Sequence, residues 1–205
     1  DILRKISANA EIKFDLKSDN KLNLITDNSD FNLLCLPVDN FPSFAEDFED
    51  NEISFNKSKL LSLLNKTKIS ISNDDTRHYL NGIYLHLTES NNRNYLTGVA
   101  TDSHRLSSSS IEIDSGKVFS PLILPKKTVF QLCNLLIDTN EKVLIQTNEN
   151  KIQFKIGKTK LISKVIDGKF PDYRKVVPIG NEKTLTVSSV EFVQAVERVI
   201  TVSLD

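Results

Sequence analysis

Residues 52–72, EISFNKSKLLSLLNKTKISIS, and residues 184–204, TLTVSSVEFVQAVERVITVSL, share one pattern of apolar positions. At an offset of 132, Ile53 falls on Leu185, Phe55 on Val187, Leu60 on Phe192, Leu61 on Val193 and Leu64 on Val196. A second pair lies at an offset of 129–130. Residues 17–25, KSDNKLNLI, match 147–155, TNENKIQFK, and Asp39-Asn-Phe-Pro42 matches Asp167-Gly-Lys-Phe-Pro171. Solenoid repeats run to about 20–50 residues, so this spacing predicts duplicated domains. The function is then expected from an assembly of similar modules rather than from one cleft.

Within the repeat, three segments read as helices. Residues 56–67 carry Leu60, Leu61, Leu63 and Leu64, with Asn56 placed to cap and Lys57, Lys59 and Lys66 at other positions. Residues 125–137 begin with Pro125, suited to a first helical position. Val129, Leu132, Cys133 and Leu136 follow as one apolar stripe, with Lys126, Lys127, Gln131 and Asn134 off it. Residues 188–200 open with Ser188-x-x-Glu191, a capping box. Elsewhere apolar residues alternate with period two: Ile12-x-Phe14-x-Leu16, Ile69-x-Ile71, Tyr84-x-His86, Val143-x-Ile145 and Ile152-x-Phe154-x-Ile156. Each reads as a strand with one buried face. Ser18-Asp19-Asn20, Glu89-Ser-Asn-Asn92, Asn148-Glu-Asn150 and Gly157-Lys158 read as the turns between strands. The fold class is α+β with antiparallel sheets, about two helices and many strands to a unit.

The 205 residues divide at 1–50, the back part of a unit; 51–180, a whole unit; and 181–205, the opening of a third. Asp1 runs straight into an apolar helical pattern and the chain has no Met, which reads as a piece of a longer protein. Apolar content of 39% and charged content of 26% are ordinary for a folded soluble chain. No stretch supplies the ~20 apolar residues of a membrane span, so no membrane partner is expected. Cys35 and Cys133 read as buried thiols rather than a disulfide. The net charge of −1 is unlike a basic DNA-binding domain, so a nucleic-acid role requires cations gathered on one face. The three histidines, His78, His86 and His104, are too scattered for a metal site.

Asp102-Ser-His104 invites a hydrolase reading. In a strand, Asp102 and His104 would share a face and Ser103 the other, and a triad draws its members from distant sequence. No catalytic residue is expected here. The surrounding residues carry a more specific signal. Thr97-Gly-Val-Ala-Thr-Asp-Ser-His-Arg-Leu106 resembles the ATDGHRL signature of the bacterial sliding clamp family, the beta subunit of DNA polymerase III. Arg77-His-Tyr-Leu-Asn-Gly82 resembles its RYYLNG segment, and Lys164-Val-Ile-Asp-Gly-Lys-Phe-Pro-Asp-Tyr-Arg174 its KxxDGxFPDYRR segment. The three occur in family order, and the resemblance extends over essentially the whole chain: the end of a first clamp domain, all of a second and the start of a third.

This resemblance implies a DNA clamp fold, with antiparallel sheets outside and two helices inside each domain. It implies a head-to-tail homodimeric ring in the full-length protein. It also implies a non-catalytic cytoplasmic processivity factor, without cofactor or metal, encircling double-stranded DNA. The implied protein partners are the DNA polymerase III catalytic subunit, the clamp loader, and other polymerases and repair proteins carrying clamp-binding peptides. Off-stripe lysines (Lys57, Lys59, Lys66, Lys126, Lys127) would offset phosphate charge without reading bases. The 73–80 loop matches a DNA-contacting family loop at Asp74, His78 and Tyr79, with Arg77 beside them. Asp74 stands where a neutral amide is familiar and His78 where a tyrosine is. A partner-peptide pocket between the second and third domains is implied at Leu80, Thr101, Ser103, His104, Arg105, Leu106, Pro171, Lys175 and Val176, with its far wall near the family's C-terminus and outside this chain. There Ser103 replaces a glycine, adding bulk at the entrance, and Lys175 replaces an arginine, losing planar bidentate bonding. The competing readings are a hydrolase, which predicts turnover lost on His104→Ala, and an α+β protein-interaction module without a DNA role.

Overall fold

The structure, a computed structural model, describes residues 1–17, 20–42, 48, 52–113, 118–137 and 142–203. A short helix α1 (Ile2–Lys5) precedes a meander of β1 (Lys13–Lys17), β2 (Lys21–Thr26) and β3 (Ser29–Leu34). The central unit then runs β4 (Glu52–Phe55), α2 (Lys57–Thr67), β5 (Gly82–Ser90), β6 (Arg93–Thr101), β7 (Leu106–Ile113), β8 (Leu122–Pro125), α3 (Lys126–Ile137), β9 (Val143–Thr147), β10 (Lys151–Ile156) and β11 (Thr159–Lys164). Helix α4 (Ser189–Ile200) follows.

The central strands form two antiparallel four-stranded sheets, ordered β11-β10-β9-β4 and β7-β6-β5-β8. One core joins both sheets to α2 and α3. It includes Ile53 and Phe55, Leu60, Leu63 and Leu64, Ile83 and Leu85, Leu96, Val129, Leu132 and Leu136, Ile145 and Phe154. Burying each such side chain stabilises the fold by about 1.5–3 kcal/mol before chain entropy is counted.

Helix α2 forms where the leucine stripe predicts it. The Asn56 side chain accepts N–H bonds from Ser58 (2.9 Å) and Lys59 (3.3 Å), relieving two unpaired amides of the first turn. The predicted strand Ile69-x-Ile71 does not form. Thr67 Oγ1 donates to the Leu63 carbonyl at 2.8 Å, and the chain tightens into a 3-10 turn over Lys68–Ser70, closed by Ile71 N–H to the Lys68 carbonyl. Ile71 is buried and Ile69 is exposed, so the two-residue spacing there mimicked a strand. Pro125 also sits one step earlier than expected. It ends β8, paired with Gly82, and α3 begins at Lys126.

The repeat is visible in the backbone. β1, β2 and β3 coincide with β9, β10 and β11 at a shift of 130 residues, and α2 begins 132 residues before α4. The second hairpin keeps its register, Lys21↔Leu34 against Lys151↔Lys164. The first slips by one residue, Lys17↔Lys21 against Thr147↔Ile152. Asn148 Oδ1 accepts N–H bonds from Asn150 and Lys151 and holds the longer loop. Ser18 and Asp19 of the first predicted turn lie outside the described residues, whereas Asn20 is left-handed at φ 56°. The β5–β6 turn is the two-residue Asn91-Asn92, both at positive φ, the geometry that matches strand twist.

The predicted one-sided burial fails in two places. Phe14 and Leu16 of β1 are exposed, because nothing among the described residues covers that face. Strand β5 is buried on both faces. Ile83 and Leu85 face the helices, while Tyr84 and His86 lie under the segment that follows β11. In α4, Ser188 Oγ accepts the Glu191 N–H as the capping box predicts, yet Phe192, Val193 and Val196 stay exposed.

Candidate functional site

Two loops and one extended segment meet beside the outer face of the β7-β6-β5-β8 sheet. That face carries a second, smaller core: Leu80, Val99, Ile123 and Phe170, with Tyr79, Tyr84, Leu106, Ile166 and Tyr173 packed on it. The segment is held along β8 by an Ile166 N–H to Ile123 carbonyl bond of 2.9 Å.

The first loop joins Thr101 of β6 to Leu106 of β7. Asp102 Oδ1 accepts N–H bonds from His104 and Arg105, both at 3.0 Å, and Oδ2 accepts Arg105 Nε at 3.0 Å. These donors, the two backbone amides foremost, hold the Asp102 carboxyl below its ordinary pKa. Asp102 therefore shapes the turn, and its bond to His104 runs through the backbone, contrary to a hydrolytic pairing. Thr101 Oγ1 donates to the Arg105 carbonyl at 2.7 Å and accepts the Ser103 N–H at 3.1 Å. Ser103 has φ 79°, a left-handed conformation that favours glycine. Its hydroxyl gains a partner there, accepting from Arg77 Nη1 at 2.6 Å.

The second loop is a 3-10 segment, Asp75–Leu80, capped by Asp74. The Asp74 carboxylate accepts from Thr76 N, Thr76 Oγ1 and Arg77 Nε at 2.6–2.9 Å. The Thr76 hydroxyl, then Arg77, then the Thr76 amide lower its pKa to about 2. A depressed carboxyl pKa stabilises the loop above its unfolded value of 3.8, and that contribution is lost as pH falls through about 2. We expect Arg77→Ala to raise the Asp74 pKa towards 3.8, read from the side-chain carboxyl ¹³C shift against pH. An unmoved titration would refute the pairing.

Arg77 thus bonds to both loops, half-buried between Asp74 and Ser103. Tyr79 is half-buried and His78 exposed, their rings edge-on at 5.8 Å. Gly168, at φ 143°, passes beneath; a Cβ there would lie 3.2 Å from Tyr79 Cβ. Lys126 Nζ donates to Asn73 Oδ1, which joins α3 to the start of this loop. Lys57 Nζ instead donates to the Ile137 carbonyl at 3.2 Å, while Lys59, Lys66 and Lys127 are exposed.

Of the predicted pocket residues, Leu80 is buried floor and Leu106 and Thr101 are half-buried. Ser103, His104, Arg105, Pro171, Lys175 and Val176 are exposed around them, with Lys175 paired to Asp172 at 3.5 Å. Sequence reasoning missed the aromatic group beneath. Tyr84 stacks on Phe170 (centroids 4.9 Å apart, planes 5°) and on His86 (4.7 Å, 25°), and Tyr173 tilts onto His86 at 5.7 Å. Its signal was the shared face of Tyr84-x-His86.

Residues 54–172 match the family described as DNA polymerase III beta subunit, central domain. The chain is 37% identical over 207 residues to the beta sliding clamp of Caulobacter vibrioides, covering 100% of this chain and 56% of that protein. It is 30% identical over 198 residues to that of Vibrio cholerae, covering 97% and 53%. The crystal structure of the C. crescentus beta sliding clamp with PEG bound superposes with a TM-score of 0.93 at 36% identity, over 100% of this chain and 55% of that one. The Bartonella birtlesii DnaN sliding clamp bound to griselimycin gives 0.91 at 38% identity, over 100% and 55%. The chain therefore spans about half the length of the relatives it matches. With its two-sheet, two-helix central unit and its recurring meander, it belongs to the DNA polymerase III beta subunit family, the beta sliding clamps.

Proposed function

We propose that this chain is part of a DNA-encircling processivity factor that tethers a replicative polymerase without itself making or breaking bonds. The observation that carries this reading is the match over the full chain to sliding clamps at 36–38% identity and TM-scores above 0.9. The residues support it. α2 and α3 pack side by side against both sheets, and their Lys59, Lys66 and Lys127 reach solvent. Cations so placed neutralise phosphates without reading sequence, which suits sliding. Asp74 is neutralised internally by Arg77, so the loop does not present a bare carboxylate to DNA. Arg77, His78 and Tyr79 are its candidate contacts, with Lys57 and Lys126 as flanking charge.

The pocket is the second half of the proposal. Leu80 and Leu106 would give it an apolar floor, Thr101, Ser103, His104 and Arg105 one polar rim, and Pro171, Lys175 and Val176 a second edge. A short peptide with apolar anchors fits this chemistry. The proposed holders of such peptides are the polymerase catalytic subunit, the clamp loader, and other polymerases and repair proteins. Closure into a homodimeric ring is proposed for the full-length protein, and a cytoplasmic location follows from its work on DNA. No helix among the described residues is long and apolar enough to cross a membrane.

Griselimycin, bound to the B. birtlesii clamp, is the probe for the pocket. Calorimetric titration of the full-length protein should show binding. Leu106→Ala should weaken it about tenfold through lost apolar burial. Equal affinity for the variant would remove Leu106 from the pocket; no binding by the parent protein would sink the pocket assignment.

A further inference from the structure

His86 belongs to neither of the surfaces described so far, yet it is 5% exposed and fully bonded. Its Nδ1 lies 3.0 Å from the Leu87 carbonyl, and its Nε2 lies 3.1 Å from the Tyr173 hydroxyl. A carbonyl can only accept, so Nδ1 carries the proton and the Nε2 lone pair accepts the Tyr173 O–H. Tyr173 opens the 3-10 turn Tyr173–Lys175, and Pro171, Lys175 and Val176 flank or lie in that turn. The Phe170 ring, stacked on Tyr84, fixes the other end of the same segment. Beyond Tyr173, among the described residues, the segment has little else to hold it. Lys175 and Val176 are exposed, and the ion pair Lys175–Asp172 is local to the turn.

We propose that His86, in its neutral form, is a positioning residue for the partner pocket: it grips Tyr173 and so sets the wall that presents Pro171, Lys175 and Val176. It touches no partner itself. This inference rests on the pocket reading above and adds to it a buried residue that tunes affinity from below.

The grip depends on pH in a defined sense. A protonated imidazole has no lone pair for the Tyr173 hydroxyl, so the bond is lost on protonation. Burial, offset by the Leu87 carbonyl and reinforced by the charge of Arg174, places the His86 pKa below 6.5. The titratable and charged groups around His86 are Tyr84 on its own strand and Tyr173 and Arg174 on the covering segment; its β6 partner Thr97 is neutral. Because burial lowers the folded-state pKa below 6.5, the bond is present above pH 6.5 and is lost as pH falls through that lowered pKa.

Calorimetric titration with griselimycin tests this in the full-length protein. Tyr173→Phe removes one oxygen and keeps the ring, and His86→Phe keeps the stack on Tyr84. Each should bind griselimycin about three- to tenfold more weakly than the parent at pH 7.5, the range for one lost hydrogen bond. The double variant should be no weaker than either single variant, because both break the same bond. Parent affinity should also fall on acidification below pH 6.5 by more than that of His86→Phe. His78 and His104 are common to both proteins, so the difference belongs to His86. If His86→Phe fails to fold, Tyr173→Phe alone decides. Parent-like affinity of Tyr173→Phe, or additive losses in the double variant, overturns the inference while leaving the pocket standing. Absence of griselimycin binding by the parent protein overturns the pocket and the inference together.

Discussion

Gly82→Ala is expected to destabilise the chain by about 3 kcal/mol or more, seen as a lower urea midpoint in a denaturation followed by circular dichroism. A Cβ at position 82 would lie 2.3 Å from the Leu124 carbonyl oxygen and 2.9 Å from Ile123 Cγ2. The first neighbour is backbone, so no rotamer change relieves it. Strand β8 must move away from β5. That movement cannot stay local. β8 runs directly into α3, and the Lys126 N–H bonds the Asn81 carbonyl at 3.0 Å. Leu80, in the proposed pocket floor, lies two residues away, so any binding there should weaken as well. A midpoint equal to the parent's would show that the β5–β8 approach is looser than described.

Leu63→Ala should cost roughly 3–5 kcal/mol, the range for a fully buried leucine whose surroundings cannot collapse. Leu63 has no exposed surface, and its Cδ2 would lie 2.7 Å from a Cβ built on Gly98 of β6. Gly98→Ala alone should therefore also destabilise, by overpacking. In the double variant the new methyl enters space that the leucine vacated. The two losses should sum to less than their separate values, with a coupling of about 1 kcal/mol or more. Additive losses in a double-mutant cycle would mean that α2 does not rest on Gly98.

Much of the central unit could be read from apolar spacing. Leu60, Leu63 and Leu64 on α2 and Val129, Leu132 and Leu136 on α3 are buried, as their stripes require. The turns at Asn91-Asn92 and Gly157 were legible because residues tolerant of positive φ mark them. Ile69-x-Ile71 misled, because two apolar residues at spacing two also fit the exit of a helix into a 3-10 turn. Phe14, Leu16 and the α4 stripe are apolar yet exposed. Periodicity reports which side of an element is greasy and is silent on what lies against it. The candidate site was marked in the sequence by the motif residues around Leu80 and Leu106. The bonds that organise it were not, since Arg77 and Ser103 lie 26 residues apart and no local pattern joins them. The second burial of β5 was hidden for the same reason, because its cover arrives from Phe170 and Tyr173, more than 80 residues downstream.

Arg77 works for two masters, the acid at 74 and the hydroxyl at 103. An incoming phosphate that recruits this guanidinium competes with both. Every such capture would release Ser103 from the contact that rewards its unfavourable backbone angle, so on the proposed function DNA bound at one loop would be felt at the proposed peptide pocket. Adding double-stranded oligonucleotide and watching the Ser103 amide resonance would register that cross-talk, and a stationary peak would rule it out.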